Sequence, residues 1–384
     1  MFGPSLTGPV ADLRDAYLES AARAEGYVEF GTTDFIEPLD IMLGDLVHRA
    51  NLTRLGHLVS RYYLKQLLRM RLKIQRAGPT MAGRIKRPIF ILGLPRTGTT
   101  LLHELLSQHD ALRAPTFHES HRYDDPNRWD IISRGLTHAQ LAAVDVMAPT
   151  FKRVHELRAH GPHECVSIQA YAFRSMQFHV AFRLPHYNQW MMSQCDWQPA
   201  YRIHAQYLSQ LTRNQERWVL KAPGHMLGLG ALIRQYPDAV FIQTHRDPLE
   251  VIPSMASLTL SLRRMATRIL DREEIGRDVN ELWHRGIYGV IEAREADPAL
   301  DSRFIDIQYQ DFLSDPISTL RDIARFADLT WTATHSESAR KHIADHPKHR
   351  HGRHQYTLEQ FGLNKSELSE QYRANQRAHL PDRS

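Results

Sequence analysis

At 384 residues and 42% hydrophobic content the chain can bury a substantial core, and it reads as one large α/β domain with helical additions rather than two independent units. Two cysteines, Cys165 and Cys195, exclude a disulfide framework and a cysteine-built metal site. No apolar run approaches the ~20 residues that span a bilayer, and the opening MFGPSLTGPVADLRD lacks a basic-then-apolar leader, so a soluble, cytoplasmic protein is expected.

The net charge of +5 is unevenly spread. Residues 1–45 hold nine acids against Arg14 and Arg23, whereas residues 46–87 hold eleven Lys or Arg and no acid. Within the basic block Leu55, Val59, Tyr62, Leu67, Met70 and Ile74 keep helical spacing, which predicts an amphipathic helix inside a helical N-terminal extension ending near residue 81. Three readings of its charge are open: a face packed on the acidic helices before it, a field that draws in an anion, or contact with an anionic membrane.

Residues 87–108, RPIFILGLPRTGTTLLHELLSQ, follow as a buried strand, a tight turn and a helix with Leu101, Leu102, Leu105 and Leu106 on one face. Amides of such a turn and the helix N-terminus converge on one point, where a phosphate satisfies donors the helix leaves unpaired. Gly93, Gly98, Thr99 and Thr100 keep the spacing of a Walker loop, but Thr99 stands where the lysine belongs, and the cation of the loop is Arg96. A nucleoside triphosphate is therefore disfavoured.

The region 112–216 is dense in Tyr171, Phe173, Phe178, Phe182, Tyr187, Trp190, Met191, Met192, Trp197 and Tyr201, which either line an apolar acceptor pocket or form plain core. Further strands are predicted near Trp218, Ala239 and Phe304. Strands alternating with helices imply a parallel sheet whose ligand lies at the carboxyl ends of the strands. The AVFIQT strand runs into HRDPLEVIPSMASL, where Arg246 offers a fork for phosphate and Ser254 a hydroxyl. Near the C-terminus His342, His346, His349, His351 and His354 form a patch that could bind a metal, though at so loose a spacing metal is the minority reading.

Together these segments resemble the sulfotransferase family that uses 3′-phosphoadenosine 5′-phosphosulfate (PAPS), in its bacterial type, and the PRTGTT loop is also similar to that of tyrosylprotein sulfotransferases. Four stretches match in family order between residues 88 and 316: PRTGTT, WVLKAP, Arg246 with Ser254, and IQYQDFLSDP. The resemblance implies a P-loop-like three-layer fold with a central parallel sheet over residues 82–384. It implies PAPS as donor and no metal, with the 5′-phosphosulfate on Pro95, Arg96, Thr97, Gly98, Thr99 and Thr100 and the 3′-phosphate on Arg246 and Ser254. RHG at residues 350–352 resembles the start of the family's third cofactor loop, which adds Arg350 or Arg353.

For the chemistry the resemblance implies in-line attack of a hydroxyl on sulfur, with Lys221 and Arg96 meeting charge on the leaving oxygen. Glu119 in RAPTFHES is the candidate general base and His225 in KAPGH its rival, with His118 and Glu164 as outsiders. The expected acceptor is a small-molecule or lipid alcohol, and nucleic acid is not expected as a partner. The alternatives are a kinase-like enzyme, for which Asp247 is the candidate magnesium ligand, and a non-catalytic anion- or membrane-binding protein.

Overall fold

IFILG is apolar without interruption, the pattern of a strand buried on both faces. In the computed structural model, which describes residues 2–78, 85–121, 158, 160–212, 216–345, 357–373 and 375, it is β1 (Ile89–Gly93), the centre of a five-stranded sheet. The other strands are β2 (Leu112–Arg113), β3 (Arg217–Lys221), β4 (Val240–His245) and β5 (Phe304–Gln308), ordered β2-β3-β1-β4-β5 with every neighbouring pair parallel. Register sets Ile91 beside Lys221, Gly93 beside Thr244 and His245 beside Gln308, so the segments leaving these strands emerge along one edge.

Alternation along β1 sorts its residues between two cores. Ile89 and Ile91 meet Leu102, Leu105 and Leu106 of α4 (Thr99–Leu106) and Leu320 and Ile323 of the helix Pro316–Phe326. Phe90 and Leu92 face a larger core that holds the middle-region aromatics. Those aromatics resolve as core: Phe173, Phe178, Tyr187 and Tyr201 are fully buried, and Trp190 and Trp197 nearly so. Residues 122–157 of the expected acceptor region lie outside the described residues.

The N-terminal helices α1 (Val10–Glu25), α2 (Ile36–His48) and α3 (Arg54–Ala77) put Tyr17, Leu39, Leu43, Leu64 and Leu68 into the same larger core. The expected boundary near residue 81 falls outside the described residues. Part of the basic block is absorbed locally: Arg69 pairs with Glu25, and buried Arg71 donates to the carbonyls of Phe30, Thr32 and Tyr171. Its helix begins with Thr53 capping the Gly56 amide, and a Cβ at Gly56 would lie 2.1 Å from the Ala266 carbonyl oxygen. Only glycine allows that approach to α7 (Pro248–Ala266).

The cores also hold imidazoles. Burial lowers the pKa of His103, His179 and His204 to about 3, and that of His225 well below the ordinary value. Below pH ~6.5 the unfolded chain binds protons these rings refuse, so their stabilisation is complete above that pH and is lost as pH falls toward ~3. Each ring steepens the dependence by about 1.4 kcal/mol per pH unit, and Tm is expected to fall steeply between pH 6.5 and 4.5. A Tm that is flat over that range would refute this account.

Candidate active site

Gly93 leaves β1 at φ +132°, where a Cβ would sit 2.3 Å from the Thr244 hydroxyl oxygen. The chain then turns through Arg96, a non-glycine residue at φ +68°, to Gly98 at φ +82°, which caps α4. Thr97 pins the turn from inside, donating to the Leu94 carbonyl at 2.5 Å and lying 2.6 Å from the Thr244 hydroxyl. Among the described residues the amides of Thr97 and Gly98 donate to no backbone acceptor outside regular elements, while the side chains of Arg96 and Thr100 stand exposed at the rim. The turn is a cradle of donors at the positive end of a helix.

Lys221 closes one side. It ends β3 with only 2% of its side chain exposed, donates to the Thr100 hydroxyl at 3.1 Å and forms an ion pair with Glu164. The Cys165 amide donates to the Lys221 carbonyl at 2.9 Å, which docks the GPHEC segment on the strand end. Burial pushes the Cys165 thiol up to about 12, so it is no nucleophile at neutral pH. His103 of α4, kept neutral first by burial and then by Lys221, bonds the Val219 carbonyl at 3.1 Å and ties the cradle's helix to β3.

Beside Glu164 lies a hydrogen-bonded chain of side chains that no local sequence pattern groups. His121 Nδ1–H donates to the Phe117 carbonyl at 3.0 Å, leaving Nε2 to accept the Ser167 hydroxyl at 3.4 Å, which in turn accepts from His163 Nε2 at 2.9 Å. Thr116 and Pro162 form an antiparallel bridge that brings these two stretches together.

Arg246 closes the other side. It donates to the Arg96 carbonyl at 2.8 Å, pairs with Glu250 and lies over the Tyr309 ring at 4.6 Å. Ser254 of α7 is one helical turn beyond Glu250, on the face the Arg246 pair occupies. Tyr309 and Phe312 of IQYQDFLSDP back the Gly98 turn, at 3.3 and 3.2 Å from a Cβ placed there. All four sequence stretches thus meet at one edge of the sheet. Asp247 caps α7 by accepting from the Leu249 amide at 3.0 Å, a use that competes with holding magnesium.

Two candidates for the base stand elsewhere. Glu119 accepts from the Thr116 amide at 2.9 Å and its hydroxyl at 3.1 Å, while its own amide donates back to that hydroxyl at 3.2 Å. This is a capping box at the start of α5 (Phe117–His121), and Arg113 pairs with the remaining carboxylate oxygen. His225 is fully buried, with Nδ1 on the Tyr201 hydroxyl at 2.9 Å and its ring against Phe90. Neither is joined to Lys221 by a hydrogen bond among the described residues. His118 is half-buried beside His160. Arg350 and Arg353 lie outside the described residues, as do His346, His349, His351 and His354, and His342 bonds Glu104.

His109, Asp110 and His335 are close enough to share a metal ion. Hydrogen bonds already set their tautomers: His109 Nε2 donates to the Thr330 carbonyl while its Nδ1 accepts from the Ala111 amide at 3.1 Å, and His335 Nδ1 accepts from the Thr332 amide, leaving Nε2–H to Asp110 at 3.3 Å. A protonated ring nitrogen has no lone pair for a metal, and the lone pair of His109 Nδ1 is already engaged by an amide.

Residues 88–333 match the model of the sulfotransferase family. Curated relatives include the omega-hydroxy-beta-dihydromenaquinone-9 sulfotransferase Stf3 of Mycobacterium bovis and of Mycobacterium tuberculosis, each 28% identical over 297 residues, or 72% of this chain and 71% of theirs. Sulfotransferase STF1 of M. tuberculosis superposes with a TM-score of 0.79 at 30% identity, covering 94% of this chain and 98% of that one. STF9 of Mycobacterium avium shares the fold, with a TM-score of 0.81 at 24% identity over 95% and 96% of the two chains.

Proposed function

This chain belongs to the sulfotransferase family, and from that premise we propose that it carries a sulfuryl group from PAPS to the hydroxyl of a small-molecule or lipid acceptor. The observation that carries the reading is the buried Lys221 ammonium, held between Thr100 of the cradle and the Glu164 carboxylate. The donor set fits PAPS: turn amides, two threonine hydroxyls and Arg96 suit the 5′ group, and the Arg246 fork with Ser254 suits the 3′-phosphate. Arg350 and Arg353 are the proposed third contact. When bound, PAPS supplies the sulfuryl group and a bridging oxygen that gathers negative charge as the S–O bond breaks.

The chain's own residues then divide the work. Fixed amides, Arg96 and Lys221 face the developing charge without reorganising. The proposed base is Glu164 rather than Glu119, because Glu164 adjoins Lys221 whereas Glu119 is consumed by its capping box and Arg113. The relatives' named acceptor is a hydroxylated dihydromenaquinone, which supports keeping lipid alcohols in the acceptor class.

Adenosine 3′,5′-bisphosphate at a hundredfold excess over its Kd is expected to stabilise the protein by about 2.7 kcal/mol, raising Tm by roughly 3 °C, with ATP and magnesium doing little. Arg246→Ala and Ser254→Ala should each weaken the bisphosphate by about tenfold and leave adenosine 5′-monophosphate unchanged. Stronger stabilisation by ATP would favour the kinase-like alternative and defeat the proposal.

A further inference from the structure

Five large apolar side chains are exposed among the described residues, and four of them, Phe2, Leu55, Leu58 and Ile269, gather around the N-terminal half of α3. Leu55, Leu58 and Tyr62 recur at i, i+3 and i+7 and so share one helix face. The Phe2 ring adjoins Tyr62 at 6.3 Å, where Arg61 holds the N-terminal segment by donating to the carbonyls of Gly3 and Pro4. Ile269, 68% exposed, is set beside the helix start by the Leu52–Thr267 bridge and the Arg268 amide on the Asn51 carbonyl at 2.9 Å.

The charge carried by α3 and by the turn before Ile269 is basic. Arg54, Arg264 and Arg268 are exposed at its rim, and Lys65 follows one turn beyond Tyr62. No acid occurs on α3, and the acids nearest Ile269 in sequence, Asp271 and Glu273, belong to the start of the next helix, where Asp271 caps the amides of Glu273 and Glu274 and Glu273 pairs with Arg277. Apolar side chains at the centre and cations at the rim match the two layers of an anionic bilayer surface, acyl boundary within and phosphate headgroups outside.

We propose that this face docks the enzyme on anionic phospholipid bilayers. It lies at the far end of the 19-residue α7 from Arg246, about 28 Å away, so docking and donor binding are separate properties. The test is flotation of the full chain with vesicles of phosphatidylcholine alone or mixed with phosphatidylglycerol, at low and high salt. Binding is expected on the phosphatidylglycerol vesicles, reduced by salt and at least tenfold weaker on phosphatidylcholine. Leu55→Ser combined with Leu58→Ser and Ile269→Ser should lower binding at least tenfold, and Arg54→Ala, Arg264→Ala and Arg268→Ala by about fivefold each, with Tm and bisphosphate binding retained. The proposal is overturned if the wild-type chain does not float with phosphatidylglycerol vesicles, or if it sediments as a dimer that the serine variant converts to monomer, which would make the face a subunit interface.

Discussion

Lys221→Met is expected to lower kcat/KM by about three orders of magnitude while adenosine 3′,5′-bisphosphate affinity changes less than tenfold. The methionine keeps the apolar stem that fills the end of β3 and removes only the ammonium. A fixed cation facing a charge that grows in the transition state contributes about 4 kcal/mol in a site shielded from water, whereas the ground-state phosphate keeps its amides, Arg96 and two hydroxyls. The same change removes the ammonium from the ion pair with Glu164, which lowers stability. Combining Lys221→Met with Glu164→Gln should therefore restore much of the lost Tm and none of the lost rate. Normal turnover by the single variant would reduce Lys221 to a structural ion pair.

Glu164→Gln is expected to lower kcat by about a hundredfold or more with bisphosphate affinity nearly intact, the pattern of an interaction made only in the transition state. Glu119→Gln should behave in the opposite way. It weakens a capping box and the pair with Arg113, costing about 1–2 kcal/mol of stability, and leaves turnover of the folded enzyme close to normal. An inactive Glu119→Gln with an active Glu164→Gln would return the base to Glu119. His225→Gln is informative in a third way: it places an amide beside Phe90 and Tyr201 in the core, so its effect should appear in Tm and in acid stability before it appears in kcat.

The comparison between Glu119 and Glu164 shows where reading a sequence stops. Both lie within recognisable short stretches, RAPTFHES and GPHEC, and both stand next to a histidine. The T-x-x-E spacing of Thr116 and Glu119 is itself a capping-box pattern, a local signal that was available and that competes with catalysis for the same oxygens. Nothing local marks Glu164, whose partner Lys221 is 57 residues away in the chain. The aromatic-rich middle region is similar: composition allows pocket or core, and the packing of Phe173, Phe178 and Tyr187 against the N-terminal helices decides for core.

The sequence alone determined the cradle and the sheet that carries it, because both follow from neighbours in the chain. An apolar five-residue strand, glycines where φ must be positive, and a leucine face at helical spacing specify strand, turn and helix through backbone sterics and short-range burial. It also determined, through the order of four short stretches, which segments gather at the sheet edge. Tertiary structure decided which distant groups meet: Lys221 with Glu164, and Arg246 with the Arg96 carbonyl. The reason is that a carboxylate's role depends on which cations and amides reach it, and for Glu164 these arrive from strands and helices that only the parallel register of β1, β3 and β4 brings together.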